Sequence, residues 1–145
     1  MLTHFDLRKT WLYDDRWEAM KADNEVLDLS LNFAVRIVRL NQFLCDSKRE
    51  FVLSKQLLRS GTGIGTNVRE AVYAQSKKDF IAKMSIALKE ASETEYWLDL
   101  LHKTDYLDEK QYNSIKGDCS SIVRIITAIV RTAKQKSNER VRKDD

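Results

Sequence analysis

Apolar residues recur every three or four positions over most of the chain, and this spacing predicts four long helices separated by short polar breaks. The first runs from about Asn24, a residue type suited to a helix N-cap, to about Asp46. Projected at about 100° per residue, Leu27, Leu31, Ala34, Val35 and Val38 share one sector, and Leu29, Phe33, Ile37, Leu40 and Leu44 fill the sector beside it. Only Asp28, Asn32, Arg36 and Arg39 remain as a polar stripe. An outer helix of a small monomeric bundle needs one apolar stripe. A helix apolar over about two-thirds of its circumference must be covered twice, so this one is expected to meet a second subunit as well as its own core.

The second segment, about Glu50 to Gln75, carries Leu53, Leu57, Leu58, Gly61, Ile64, Gly65, Val68, Ala71 and Val72 at helical spacing. Ser76 is placed to cap the third helix, with Asp79 in the first turn near the positive end of the helix dipole. That helix runs to about Lys103 and turns Phe80, Met84, Leu88, Ala91, Leu98 and Leu101 inward. Asp108 and Gln111 form the next capping pair, and a fourth helix over about 109–135 buries Tyr112, Ile115, Cys119, Ile122, Ile126, Ile129, Val130 and Ala133. Connections of roughly three to six residues force each helix back along its predecessor. The expected fold is all-α, an antiparallel up-down-up-down four-helix bundle over 24–135. Residues 1–23, with Phe5, Trp11, Tyr13 and Trp17, are expected to form an amino-terminal arm or short helix. Residues 136–145 read as a charged tail that frays into solvent.

Composition agrees with helices. Proline is absent, glycine occurs four times, and 32% of the residues are charged with the signs interspersed. A net charge of +3 is too mild to imply polyanion binding by the whole molecule. Cys45 and Cys119 fall at apolar helical positions and read as buried thiols. No apolar run approaches the ~18 residues of a membrane span, and the start lacks the apolar core of a signal peptide. A cytoplasmic protein with no membrane partner is expected.

Three glycines at alternate positions in "SGTGIGTN" (60–67) raise the question of a phosphate-binding loop. Such a loop needs a strand before it and usually a Lys-Ser/Thr pair, and this stretch has neither. Gly61 and Gly65, four residues apart, instead clear one helix face so that a neighbouring helix can approach closely. Each interior glycine costs about 0.5–1 kcal/mol relative to alanine, a penalty that close packing would offset; a local kink is the competing structural account.

Other chemistry is sparse. Asp99 and His102 supply one half of a carboxylate–histidine metal motif without partners, so no metal or other cofactor is expected. Glu95 falls among Met84, Leu88 and Ala91 and needs a buried polar partner, for which Arg69 or Ser54 are candidates. No nucleophile–base pair is discernible, and the expectation is a protein without catalytic activity. From residue 124 onward seven basic residues face three acidic ones. Arg124 and Arg131, a heptad apart, with Lys134 on their flank and Lys136 beyond, form a candidate nucleic-acid-binding stripe. The alternative is a solvated face.

"LSKQLLRSGTGIGTNVREA", then "SKKDFIAKMSIALKEASETEYWLDLL" and "TDYL", resemble the four-helix-bundle proteins encoded in intervening sequences of bacterial 23S ribosomal RNA genes, over about 24–133. The matching positions are Ser60, Gly61, Ile64, Asn67, Glu70 and Ala71, followed by Ala87 through Leu98; Gly63 stands where serine is more usual. The resemblance implies a bundle that assembles into a homo-oligomeric ring, typically a pentamer. The accessory proteins of diversity-generating retroelements are similar to this family. That kinship implies RNA, DNA or a reverse transcriptase as partner, held on a basic surface. The resulting expectation is an oligomeric scaffold that binds nucleic acid or a protein that processes it, with a purely structural self-assembly module as the alternative.

Overall fold

The computed structural model describes residues 13–144, with side chains described over 25–136 and 141–143. The aromatic residues before Tyr13, His4, Asp145 and the side chains of Tyr13 and Trp17 lie outside the described residues. Among those described, four helices follow one another: α1 (Tyr13–Asp46), α2 (Leu53–Val72), α3 (Lys77–Lys103) and α4 (Glu109–Asp144). Each packs along its sequence neighbour, and α4 closes back on α1, giving the antiparallel four-helix bundle.

Local chemistry explains most of the boundaries. The Asp79 amide donates to the Ser76 side chain at 3.1 Å. Asp108 and Gln111 form a reciprocal capping box at 2.7 and 3.0 Å. The start of α2 is set by a residue whose capping role the sequence pattern does not announce. The Glu50 carboxylate accepts from the amides of Val52, Leu53 and Ser54 at 3.1, 2.8 and 2.7 Å, and the Ser54 hydroxyl returns a bond to the Glu50 carbonyl at 2.8 Å. Burial works against this carboxylate, but the three amides outweigh it and hold its pKa below the ordinary value. The reversal needs Arg49 in the left-handed region, at φ 54°.

Two helix ends differ from expectation. Asn24 does not begin the helix, because α1 is already helical from Tyr13. Residues 14–23, "DDRWEAMKAD", contain good helix formers and no breaker, so no local signal stops the helix at Asn24. At the other terminus α4 continues nine residues past Gln135 to Asp144 instead of fraying. The segment lacks apolar period, yet its lysines, arginines and glutamate favour helix, and Arg142 and Lys143 suit the negative end of the dipole.

The core is a single column. Phe33, Ile37 and Leu44 of α1 meet Leu57, Ile64 and Val68 of α2, Met84, Leu98 and Leu101 of α3, and Ile115, Ile122 and Ile126 of α4. The stretch 60–67 is uninterrupted helix, and none of its glycines takes a positive φ. Helices α2 and α3 come together over small buried residues, with the hydroxyls of Thr94 and Ser60 2.9 Å apart.

Candidate functional site

The glycine strip comes first because it bears on a ligand reading. A Cβ added to Gly61 would stand 2.8 Å from both Cγ1 and Cγ2 of Ile37 on α1, closer than side chains tolerate. At Gly65 it would stand 3.4 Å from the Ser30 carbonyl oxygen, so the α1 backbone itself lies close. Gly63 points elsewhere, toward the Glu90 carboxylate of α3 at 3.3 Å. The face of Gly61 and Gly65 is occupied by α1, which leaves no room there for a phosphate.

The acidic residues of α3 divide between its two neighbours. Glu93 pairs with Arg59 of α2, to which Glu90 is 3.6 Å away, and accepts from the Trp97 indole N–H at 3.2 Å. Glu95 turns the other way. Its partner is neither Arg69 nor Ser54 but Lys116 of α4, at 3.1 Å. The reason is rotational: Glu95 lies on the α4 side of α3, Arg69 is exposed on α2, and Ser54 is engaged with Glu50. Lys116 also reaches Asp99 at 2.8 Å, and the Tyr112 hydroxyl donates to the same carboxylate at 2.5 Å. Burial opposes the Asp99 charge, but the Lys116 and Tyr112 bonds hold its pKa below the ordinary range. Burial likewise opposes the Lys116 charge, and its two carboxylates still raise it, so the ammonium stays protonated. His102 stacks on the Tyr112 ring at 4.1 Å and contacts the Glu109 carboxylate at 2.9 Å, which separates it from Asp99 in role.

These groups have no nucleophile at neutral pH. The Cys119 thiol is buried, and desolvation with the nearby Glu95 charge pushes it up to about 12. Among the described residues no group of three or more histidines, cysteines or carboxylates is disposed to hold a metal ion. An open groove of about 310 Å³ between α1 and α4 is lined by Arg36, Leu40, Lys110, Gln111, Ser114 and Ile115. Arg36 within it is tied to Asp118 and to the Ser114 hydroxyl, the latter at 2.8 Å.

Two surfaces remain. On α4, Arg124, Arg131 and Lys134 are exposed, and no carboxylate lies within ion-pair distance of any of them among the described residues. Lys136 is half-buried and lies about 140° round the helix from Arg131 at ~100° per residue, so it leaves the stripe. Arg142 replaces it. Eighteen residues after Arg124, it falls back on the same line about 27 Å along the axis and is exposed. Sequence reading passes over it because a frayed tail has no faces; the signal is the run of helix formers beyond Gln135.

On α1 the two apolar sectors part company. Phe33 is 2% exposed and Ile37 and Leu44 are fully buried, whereas Leu31 is 54%, Val35 45% and Val38 40% exposed. The inward sector is the core contact. The outward one is a bare apolar stripe.

Among the described residues no helix is long and apolar enough to cross a membrane. No curated protein matches the chain. It is similar to a crystal structure from Bacteroides thetaiotaomicron, a protein of unknown function from the S23 ribosomal protein family. The identity is 56% and the TM-score 0.75, with 76% of this chain and 98% of that one covered. The model of the 23S rRNA-intervening sequence protein family matches residues 22–128. On these matches and the shared bundle, the chain belongs to the family of 23S rRNA-intervening sequence proteins.

Proposed function

We propose that the protein is a non-enzymatic, cytoplasmic scaffold that self-assembles through α1 and presents the basic face of α4 to nucleic-acid phosphates. The observation that carries this reading is the outward stripe of Leu31, Val35 and Val38. Large apolar side chains aligned on one solvent-facing helix edge mark an association surface rather than the scattered exposure normal for a monomer. Multiplying α4 around an assembly sets several copies of Arg124, Arg131, Lys134 and Arg142 side by side, and phosphate binding gains from such repetition. The ring of five implied by the sequence resemblance is the form proposed. A reverse transcriptase is the narrower partner that the retroelement kinship implies.

Light scattering tests the first half. A multimer is expected, and Leu31→Glu should reduce it to monomer; a monomeric native protein at working concentration refutes the assembly. Binding to labelled RNA and single-stranded DNA at increasing salt tests the second half. Affinity should fall steeply with salt, and Arg124→Glu with Arg131→Glu should weaken it and flatten the salt slope by about two counterions. Binding indifferent to both salt and charge reversal refutes the nucleic-acid role and leaves the assembly module alone.

A further inference from the structure

The connection between α1 and α2, "SKREFV" (47–52), is built rigidly and yet presents apolar residues to water. The Ser47 amide donates to the Phe43 carbonyl at 2.9 Å and the Glu50 amide to the Leu44 carbonyl at 3.0 Å, which ties the connection to the end of α1. The Glu50 carboxylate, drawn in under the first turn of α2, ties it to the next helix. With Glu50 turned in, the two residues after it are left outside, Phe51 52% and Val52 72% exposed. A connection of this kind is ordinarily made of small polar residues.

Arg49 is held against its backbone preference. Its φ of 54° is a conformation that glycine or asparagine adopts at less cost. The arginine does not hold the bundle together in return, for no carboxylate lies within ion-pair distance of it among the described residues. Its guanidinium lies over the Phe51 ring instead, 5.1 Å from the centroid. Lys48 and Lys55 on either side are exposed and equally without a carboxylate at ion-pair distance. Asp46 is the one exposed acid between residues 46 and 55, since the Glu50 charge is engaged by the three amides. The patch is separate from the basic face of α4. In the antiparallel bundle it sits at the end where α4 begins, and Arg124 lies about 22 Å down the axis, counted from Glu109.

An exposed ring carrying a guanidinium, with ammonium groups to either side, suits an unpaired nucleotide: the base stacks on the aromatic ring and the phosphates meet the cations. An anionic membrane would meet the same charges. Burying Phe51 among acyl chains, however, would carry the guanidinium seated on it out of water, whereas a stacked base leaves that charge at the surface beside the phosphates.

We propose that the α1–α2 connection is a second nucleic-acid contact, selective for single strands, in which Phe51 stacks on an unpaired base and Lys48, Arg49 and Lys55 hold the adjoining phosphates. This rests on the nucleic-acid half of the reading above and adds strand selectivity, which phosphate contacts along α4 do not supply.

Binding of the full chain to labelled single-stranded RNA, to the matching duplex and to an abasic strand tests it. Phe51→Ala should weaken single-strand binding roughly 5- to 150-fold and leave the salt slope unchanged, because no counterion is involved. Phe51→Trp should restore the affinity. Duplex and abasic strand should bind wild type and Phe51→Ala alike. Arg49→Gly should raise the urea midpoint by relieving the backbone while weakening single-strand binding, a pair of shifts that a merely structural arginine would not give. Unchanged single-strand binding in Phe51→Ala, or an equal loss on the abasic strand, overturns the inference. So does Phe51-dependent sedimentation with phosphatidylserine vesicles while RNA binding ignores Phe51, which would assign the patch to a membrane surface. If charge reversal at Arg124 and Arg131 weakens binding and Phe51→Ala does not, this inference alone falls. A wild-type protein that binds neither RNA nor single-stranded DNA removes both it and the nucleic-acid reading.

Discussion

Replacing Gly61 by alanine measures whether α1 is seated on the glycine strip. In a helix interior Gly→Ala ordinarily stabilises by about 0.5–1 kcal/mol, since alanine has less backbone freedom to lose. Gly117, on α4, where an added Cβ would meet nothing within 4 Å, supplies that value free of packing effects. At Gly61 the same methyl lands 2.8 Å from two carbons of Ile37, whose side chain is fully buried and has nowhere to retreat. Overpacking of this kind costs about 1–3 kcal/mol, so the net change is a destabilisation centred on about 1 kcal/mol, with an upper bound of about 2.5 kcal/mol. Gly61→Ala and Gly117→Ala should therefore move urea midpoints in opposite directions, read at one fixed protomer concentration because the proposed assembly would make stability concentration-dependent. A double-mutant cycle localises the effect. Ile37→Ala alone opens a cavity and costs about 2–5 kcal/mol. With Gly61→Ala beside it the two changes should be less than additive by at least ~1 kcal/mol, since one methyl then fills part of the space the other removed. Stabilisation by Gly61→Ala equal to that by Gly117→Ala, or strict additivity with Ile37→Ala, would refute the seat.

Other consequences follow from single contacts. Gly63→Ser should stabilise the protein by about 1 kcal/mol: it gains helix propensity, and its hydroxyl can donate to Glu90 Oε2, which is buried without a hydrogen-bond partner. Glu50→Gln should cost about 1–2 kcal/mol at pH 7 by weakening the α2 cap. The folded pKa of Glu50 is lowered, so its contribution is complete above the ordinary value of 4.5 and is lost as pH falls below it. The gap between wild type and variant in urea melts should therefore close at acid pH, and a gap independent of pH would refute the cap. Lys116→Met should let the Asp99 carboxyl titrate at higher pH in a carbon-detected NMR titration, because its main opposing bond to burial is gone. Cys119, held at about 12, should resist thiol reagents at pH 8 until the protein is unfolded, after Cys45 has reacted.

Periodicity carried the fold because the signals for these helices are strong and local. Capping pairs at Ser76 and Asp108 lie where polar residues interrupt the apolar repeat, and the hydrogen bonds form there. What it missed was of another kind. A projected helix states which way a residue faces but not which helix stands opposite. Glu95 was visible as a carboxylate beside an apolar stripe, while its partner Lys116 depended on α4 rather than α2 adjoining that flank. Helix ends failed where apolar period stops but helix propensity does not, at Asn24 and beyond Gln135, and the second of these hid Arg142 from the basic stripe.

The most informative feature of the sequence was the surplus of apolar surface on α1, and the structure resolves it into two separate demands. One sector closes the core: Ile37 reaches over Gly61, and the absence of a side chain there lets α1 and α2 approach. That approach also fixes the height of α1 relative to α3 through Ser60 and Thr94. The second sector is left outside by the same rotation that buries the first, so Leu31, Val35 and Val38 cannot be tucked in without withdrawing Phe33 and Ile37. Substituting the outer stripe with charge should therefore abolish the proposed assembly while leaving the helical content and the unfolding slope of the protomer unchanged. Loss of helix together with loss of assembly in Leu31→Glu or Val35→Glu would mean that the two sectors are not independent, and that the bundle needs its neighbour in order to fold.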